Sequence, residues 1–146
     1  MLCDALAYAA ESKPDLIVDL ATLTGAARVA LGPEVPALFA NRDDLAAAVL
    51  RAGEREQDPL WRMPLWEPYA SLLDSRIADT GNSGSSRLGG AITAALYLKR
   101  FVPDAIPWLH LDAYAWNDTD RPGRPHGGEA HGLRAFFALL KERFGT

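Results

Sequence analysis

Leu2, Leu6 and Ala9/Ala10 recur at helical spacing, and Ser12-Lys13-Pro14 ends the pattern because proline disfavours helix in the residue before it; residues 2–11 therefore predict a helix. Leu16-Ile17-Val18 is a continuous apolar run, as expected of a strand covered on both faces, and gives a strand over 15–20. A short alanine-rich turn of helix follows Gly25 and stops at Gly32-Pro33, and Ala37-Leu38-Phe39-Ala40 is a second short buried strand. Asn41 or Asp43 can cap a helix over about 44–52, with Leu45, Val49 and Leu50 as its stripe and Gly53 as its stop. The segment 61–65 is too short and punctuated for a regular element, whereas Pro68 suits the first turn of a helix over 67–73.

Further along, Ile77-Ala78-Asp79 reads as a strand end opening into a loop at Thr80-Gly81. Ile92, Ala95, Leu96 and Leu98 mark a well-buried helix from Leu88 or Gly89 to about Phe101, ended by Pro103. Residues 107–116 form the strongest remaining strand candidate, 123–128 are rich in turn formers, and Leu133, Phe136, Phe137 and Leu140 set an apolar stripe on a terminal helix of about 129–143. The alternation of helices and strands predicts one α/β domain over 1–146, a layered α/β/α arrangement with a mixed, mostly parallel sheet.

The composition narrows what such a domain does. A net charge of −4 with no Lys/Arg stripe argues against nucleic acid as a partner. No apolar stretch approaches the roughly 20 residues of a membrane span. One cysteine, Cys3, excludes an intrachain disulfide, and with no leader pattern at the start the cytoplasm is the expected compartment.

Several constellations invite chemistry. Thr22-Leu23-Thr24-Gly25 follows the first strand, where α/β sheets gather ligands, and could offer backbone groups to an extended peptide; alternatively the glycine serves only the turn's own geometry. Residues 81–90 are rich in glycine and serine ahead of a helix, which suits either an anion site or a flexible loop, and they match no phosphate-binding fingerprint. His126, Glu129 and His131 carry zinc-ligand chemistry at the wrong spacing for two histidines on one helical face. His110 and Asp112 share one face of a strand and, with Ser83, suggest a hydrolase triad, but no nucleophile elbow is present; a core histidine and a strand-end hydrogen-bonding carboxylate are the simpler roles. Asp4 and Asp19 read as helix-surface and strand-end groups.

Eight blocks, in order and at compatible spacing, resemble the leucyl (cytosol) aminopeptidase family. They are Leu2-Cys3-Asp4-Ala5-Leu6, the octet from Asp19 to Ala26, Ala30-Leu31-Gly32, Trp61-Arg62-Met63-Pro64-Leu65, Ile77-Ala78-Asp79, the heptad from Gly89 to Ala95, His110-Leu111-Asp112 and Gly123-Arg124-Pro125. The resemblance implies a two-metal (Mn or Zn) enzyme that removes N-terminal residues from peptides, and an assembly of like subunits, hexameric in relatives. It implies that Thr22, Leu23 and Gly25 line the substrate cleft, that Asn82 and Ser83 lie beside the substrate where relatives are usually Asn-Ile-Gly-like, and that Tyr114 and Trp116 stand where many relatives have small residues, so that Tyr114 narrows the pocket for the first side chain or extends the core.

The family's metal ligands and its catalytic lysine and arginine lie in an Asn-Thr-Asp-Ala-Glu-Gly-Arg block or further upstream, and the sequence here starts after that block, at Met1. The expectation is therefore the C-terminal portion of a catalytic domain, supplying cleft wall but no catalytic residue and no metal ligand, holding no metal and inactive alone. The rival expectation is a non-catalytic α/β assembly module or a truncated product.

Overall fold

The computed structural model describes residues 1–145. Helix α1 (Leu2–Glu11) leads into strand β1 (Ile17–Ala21), α2 (Gly25–Leu31), β2 (Ala37–Ala40), α3 (Asp43–Arg55) and the two-residue strand β3 (Trp61–Arg62). A 3-10 helix (Glu67–Leu73), α4 (Gly90–Lys99), β4 (Trp108–Asp112), β5 (Trp116–Asn117), β6 (Gly127–Gly128) and α5 (Leu133–Phe144) complete the chain. The main sheet runs β1-β4-β2-β3, and β5 and β6 form a separate antiparallel pair. Within the main sheet, β1 with β4 and β2 with β3 are parallel, and only β2 with β4 is antiparallel. The expected mixed, mostly parallel sheet is present.

Strand periodicity sorts the two faces. Leu38, Ala40, Leu109 and Leu111 pack with Leu45, Ala46 and Val49 of α3 and Ala135, Phe136 and Leu139 of α5. The alternate residues Ile17 and Trp108 meet Leu6 and Ala10 of α1 and Leu98 of α4, while Ala37 and Phe39 meet Ala27 of α2 and Ala91 and Ala95 of α4. Helices thus cover both sides, and β4 is buried along its whole length. Each large side chain closed off there, such as Trp108, Phe39, Leu109 and Leu111, contributes about 1.5–3 kcal/mol.

Several boundaries depart from the sequence reading. Helix α3 runs through Gly53, which is buried; a Cβ there would stand 2.6 Å from the Asp58 carbonyl oxygen, so this glycine serves close packing and not termination. Neither Asn41 nor Asp43 caps α3 with its side chain. Asn41 instead spans the entry to β4, donating to the Ile106 carbonyl at 2.8 Å and accepting from the Trp108 N–H at 2.8 Å. Residues 67–73 wind as a 3-10 helix, and Trp61 and Arg62 of the supposedly irregular segment pair with Ala37 and Leu38 at the sheet edge.

Residues 77–79 form bends, not a strand end, and Ile77 is 97% exposed. The strand expected over 107–116 stops at Asp112, and Ala115 takes a left-handed φ of 54° that breaks the pleat before β5.

The terminal helix starts at Leu133, later than expected, and its buried face is Ala135, Phe136 and Leu139. Leu133, Phe137 and Leu140, assigned to the core stripe, are exposed on the other side. The start is set by Asp58, a distant residue whose carboxylate accepts from the N–H groups of Gly132 (3.0 Å), Arg134 (2.9 Å) and Ala135 (3.2 Å). These are the donors that a helix N-terminus leaves unpaired.

Candidate functional site

Strands β1 and β4 end side by side, with Ala21 opposite Asp112, and the 22–25 turn leaves the sheet at that point. Its shape is imposed by Asp112, which is 1% exposed. One carboxylate oxygen accepts from the N–H groups of Leu23 at 3.0 Å and Thr24 at 3.1 Å, and the other accepts from the Thr24 hydroxyl at 2.6 Å. The Thr24 oxygen in turn accepts from the Ala27 N–H at 3.1 Å and caps α2. A single buried carboxylate therefore fixes both the turn and the start of the helix behind it, and charge-assisted bonds of this kind are about twice as strong as neutral ones.

Gly25 has no conformational need of its own at this turn. Its φ is not positive, and a Cβ built on it would meet nothing within 4 Å. Neither backbone conformation nor packing demands glycine here, so what the missing side chain leaves is open space in front of the main chain. Two concavities flank the turn. One, of about 200 Å³, is lined by Thr22, Thr24, Gly25, Arg28, Ala113 and Tyr114. The other, of about 490 Å³, includes Leu23, Thr24, Asn82, Gly84, Thr93 and Tyr97 in its wall. Leu23, between them, is 37% exposed.

The structure thus brings together Thr22, Gly25 and Tyr114 on one side and Leu23 and Asn82 on the other. Ser83 is exposed and lines neither hollow. The loop carrying Asn82 is tied back to the 3-10 helix, where the Leu73 carbonyl accepts from the Gly81 N–H at 2.6 Å and the Leu72 carbonyl from the Ser85 N–H at 3.1 Å. Arg100 clamps the same loop through the Thr80 hydroxyl and the Ala70 carbonyl. Tyr114 is held at both ends: its hydroxyl donates to Asp118 at 3.1 Å, and the Arg28 guanidinium lies 4.5 Å from its ring centroid.

A larger hollow of about 690 Å³ opens at the other end of the sheet, around Asn41, Arg62 and Asp104. Its basic side chains are already engaged, Arg62 with Asp43, Lys99 with Glu67 and Arg42 with the Asp104 carbonyl.

The buried carboxylates beneath the turn have structural partners, whereas His110 Nε2 is buried without one. Asp19 accepts from the Trp108 indole N–H at 2.7 Å and lies 2.6 Å from His110 Nδ1. A carboxylate only accepts, so the His110 proton belongs on Nδ1 in this pairing, with the ring stacked between Trp108 and Phe39. The partner of His110 is thus Asp19 and not Asp112, and exposed Ser83 is not placed to complete a triad. Asp19 is a buried mid-strand partner where the sequence suggested a strand end; Asp4 is exposed and pairs with the amino terminus at 2.8 Å. His126 is exposed with its ring edge-on to Trp116, Glu129 pairs with Arg124 at 3.3 Å, and His131 is buried with neither ring nitrogen bonded to protein. Burial, the leading cause, pushes the His131 pKa down.

Among the described residues no group of three His, Cys, Asp or Glu side chains could hold a metal ion. The three deeply buried carboxylates, Asp19, Asp58 and Asp112, are each occupied by two or more N–H or O–H donors. These residues do not fit a metal pair.

The profile of the cytosol aminopeptidase family, catalytic domain, matches residues 1–137. A probable cytosol aminopeptidase of Syntrophotalea carbinolica is 46% identical over 144 residues, covering 97% of this chain and 29% of the relative. The crystal structure of the cytosol aminopeptidase of Coxiella burnetii superposes with a TM-score of 0.94 at 57% identity, over 98% of this chain and 31% of that one. The bottromycin maturation enzyme BotP, solved in complex with Mn, gives 0.88 at 41% identity over 97% and 32%. The chain therefore spans about three tenths of the length of these relatives. With the profile matched across most of its length, the chain belongs to the cytosol aminopeptidase family and lies within the family's catalytic domain.

Proposed function

We propose that this chain supplies one wall of the substrate cleft of a metal-dependent aminopeptidase acting on peptide N-termini in the cytoplasm, with two divalent metals, Mn or Zn, held by residues outside it. The observation that carries this is the Asp112-pinned turn, whose backbone is presented bare at Gly25 between two hollows. A peptide laid along it would find the carbonyl groups of Thr22 and Leu23 and the main chain of Gly25 already ordered, while the Leu23 N–H stays with Asp112, so little entropy is lost in aligning the scissile bond. Leu23 and Tyr114 would exclude water from the two sides, and Asn82 would add a hydrogen-bonding edge to the larger hollow. In the whole enzyme the metals would polarise the carbonyl and activate water.

The test compares leucyl-p-nitroanilide hydrolysis by this chain and by a version joined to the upstream block that relatives carry, each with and without Mn or Zn. Activity confined to the joined form supports the proposal. Metal-dependent turnover by the 146-residue chain itself overturns it and redirects attention to His126, Glu129, His131, His110 and Asp112. The second reading, a non-catalytic assembly module, draws on the uncovered apolar face of α5, where Leu133, Phe137, Leu140 and Phe144 are 60%, 68%, 40% and 51% exposed. An inactive joined form with a defined oligomeric state would favour it.

A further inference from the structure

The guanidinium lying over Tyr114 has no part in the proposed cleft wall. Arg28 lies on α2 one turn beyond Gly25, is exposed, and lines the same 200 Å³ hollow as Thr22, Thr24 and Gly25. Among the described residues it forms no ion pair and its side chain donates no hydrogen bond to protein; its Cζ lies over the Tyr114 ring, 4.5 Å from the centroid. A guanidinium placed over a ring and bonded to no protein acceptor keeps N–H donors for another partner, and its planar fork fits a carboxylate with two parallel bonds. The ring is itself anchored by the Asp118 bond to its hydroxyl, so the arginine rests on a fixed platform. Of the carboxylates nearby, Asp112 is buried and saturated by its three donors, and Asp118 is engaged at the far end of the phenol ring. The hollow is thus a small polar pocket with a free, pre-positioned cation on its wall.

We propose that Arg28 is a specificity residue of this cleft, selecting peptides whose first side chain carries a carboxylate. The inference rests on the 22–25 turn being the cleft wall. A lysine or arginine at the first position of the peptide would meet like charge, and an aliphatic one would gain no ion pair with the exposed guanidinium, so Asp or Glu is favoured over both.

The experiment follows the backbone amides of residues 22–25 and the Arg28 Nε–H by NMR while the 146-residue chain is titrated with four tripeptides. These are Glu-Ala-Ala amide, its isostere Gln-Ala-Ala amide, Lys-Ala-Ala amide, and Gln-Ala-Ala with a free C-terminal carboxylate. The expected order places Glu-Ala-Ala amide about fivefold tighter than Gln-Ala-Ala amide at low salt, with the advantage shrinking as salt is added. Arg28→Gln should erase the advantage while the turn amides still shift, and Arg28→Glu should transfer it to Lys-Ala-Ala amide. Equal binding of the Glu and Gln peptides, or a preference that survives Arg28→Gln, overturns the assignment and leaves the cleft reading standing. Preference for the free-acid Gln peptide over the Glu amide overturns the first-side-chain assignment in favour of a terminal carboxylate. If no peptide moves the turn amides, the cleft reading and this inference fall together.

Discussion

Two residues far apart in the sequence, Asp112 and Gly25, separate stability from binding at the candidate site. Asp112→Ala would leave the N–H groups of Leu23 and Thr24 without their acceptor in a part-buried turn, and should cost about 2–4 kcal/mol in a urea titration while abolishing peptide-induced shifts. Gly25→Ala should do the opposite: its Cβ meets nothing in the fold, so stability should stay within about 0.5 kcal/mol or rise slightly, while peptide affinity falls because the methyl group occupies the approach to the main chain. Equal losses of stability in the two variants would show that Gly25 serves the turn and not the ligand. His131 makes a pH prediction. Its pKa is lowered from the usual 6.5 by burial, so the unfolded chain binds a proton more readily than the folded one. Its neutral form is favoured by folding, the contribution is complete above the unfolded pKa, and it is lost as pH falls below about 6.5 toward the folded value. Urea midpoints taken at pH 7.5 and 5.5 should drop more for the parent chain than for His131→Leu; identical drops would remove His131 from the account.

At the level of elements, helix periodicity located every helix, but the faces and ends were set elsewhere. Apolar spacing on α5 is satisfied equally by an inward stripe of Ala135, Phe136 and Leu139 and an outward one of Leu133, Phe137 and Leu140, and only packing against α3 and β4 chooses the first. The start of α5 depends on Asp58, more than seventy residues earlier, and on Gly132, whose φ of 81° and 2.5 Å distance from a built Cβ to Leu111 Cδ2 admit no side chain. Asp58→Ala should destabilise the chain by about 1–3 kcal/mol through unpaired helix-terminal donors, and Gly132→Ala by a comparable or larger amount through the clash and the left-handed backbone. Chemical denaturation together with amide exchange over 132–136 checks both; unchanged exchange there in Asp58→Ala would mean that the carboxylate is not the cap. A local Ser, Thr or Asn ahead of the helix would have been legible, whereas a cap from a distant loop has no local signal.

Across the whole molecule, the two helical layers close over a sheet whose β4 is buried from end to end, yet α5 keeps Leu133, Phe137, Leu140 and Phe144 on its outer side. Singly exposed apolar residues are ordinary; four along one face of one helix mark a surface suited to association. The assembly-module reading requires like subunits to meet through this face. Sedimentation of the chain across a concentration series should show a defined oligomer that Phe137→Glu converts to monomer without loss of helicity. A monomer at every concentration, or open-ended aggregation unaffected by Phe137→Glu, would refute it. No described helix is long and apolar enough to cross a membrane, in agreement with the short apolar runs of the sequence.

The α/β class, the order of the main helices and strands, the family and the 22–25 turn as the place to look were all legible along the chain. Those features are local: apolar period and glycine or proline punctuation act over a few residues, and the family blocks are read in order along the chain. Tertiary structure alone decided that Asp112 holds the turn, that Asp19 and not Asp112 partners His110, that Gly25 is bare toward open space, and that Arg28 and Tyr114 share a pocket. Each of these joins residues 86 or more positions apart or depends on what a side chain meets in space, and the pairing of β1 with β4 that creates them is a long-range contact between strands far apart in the chain. A carboxylate that accepts three bonds from a turn on another strand looks, in the sequence, like any aspartate at the end of a strand.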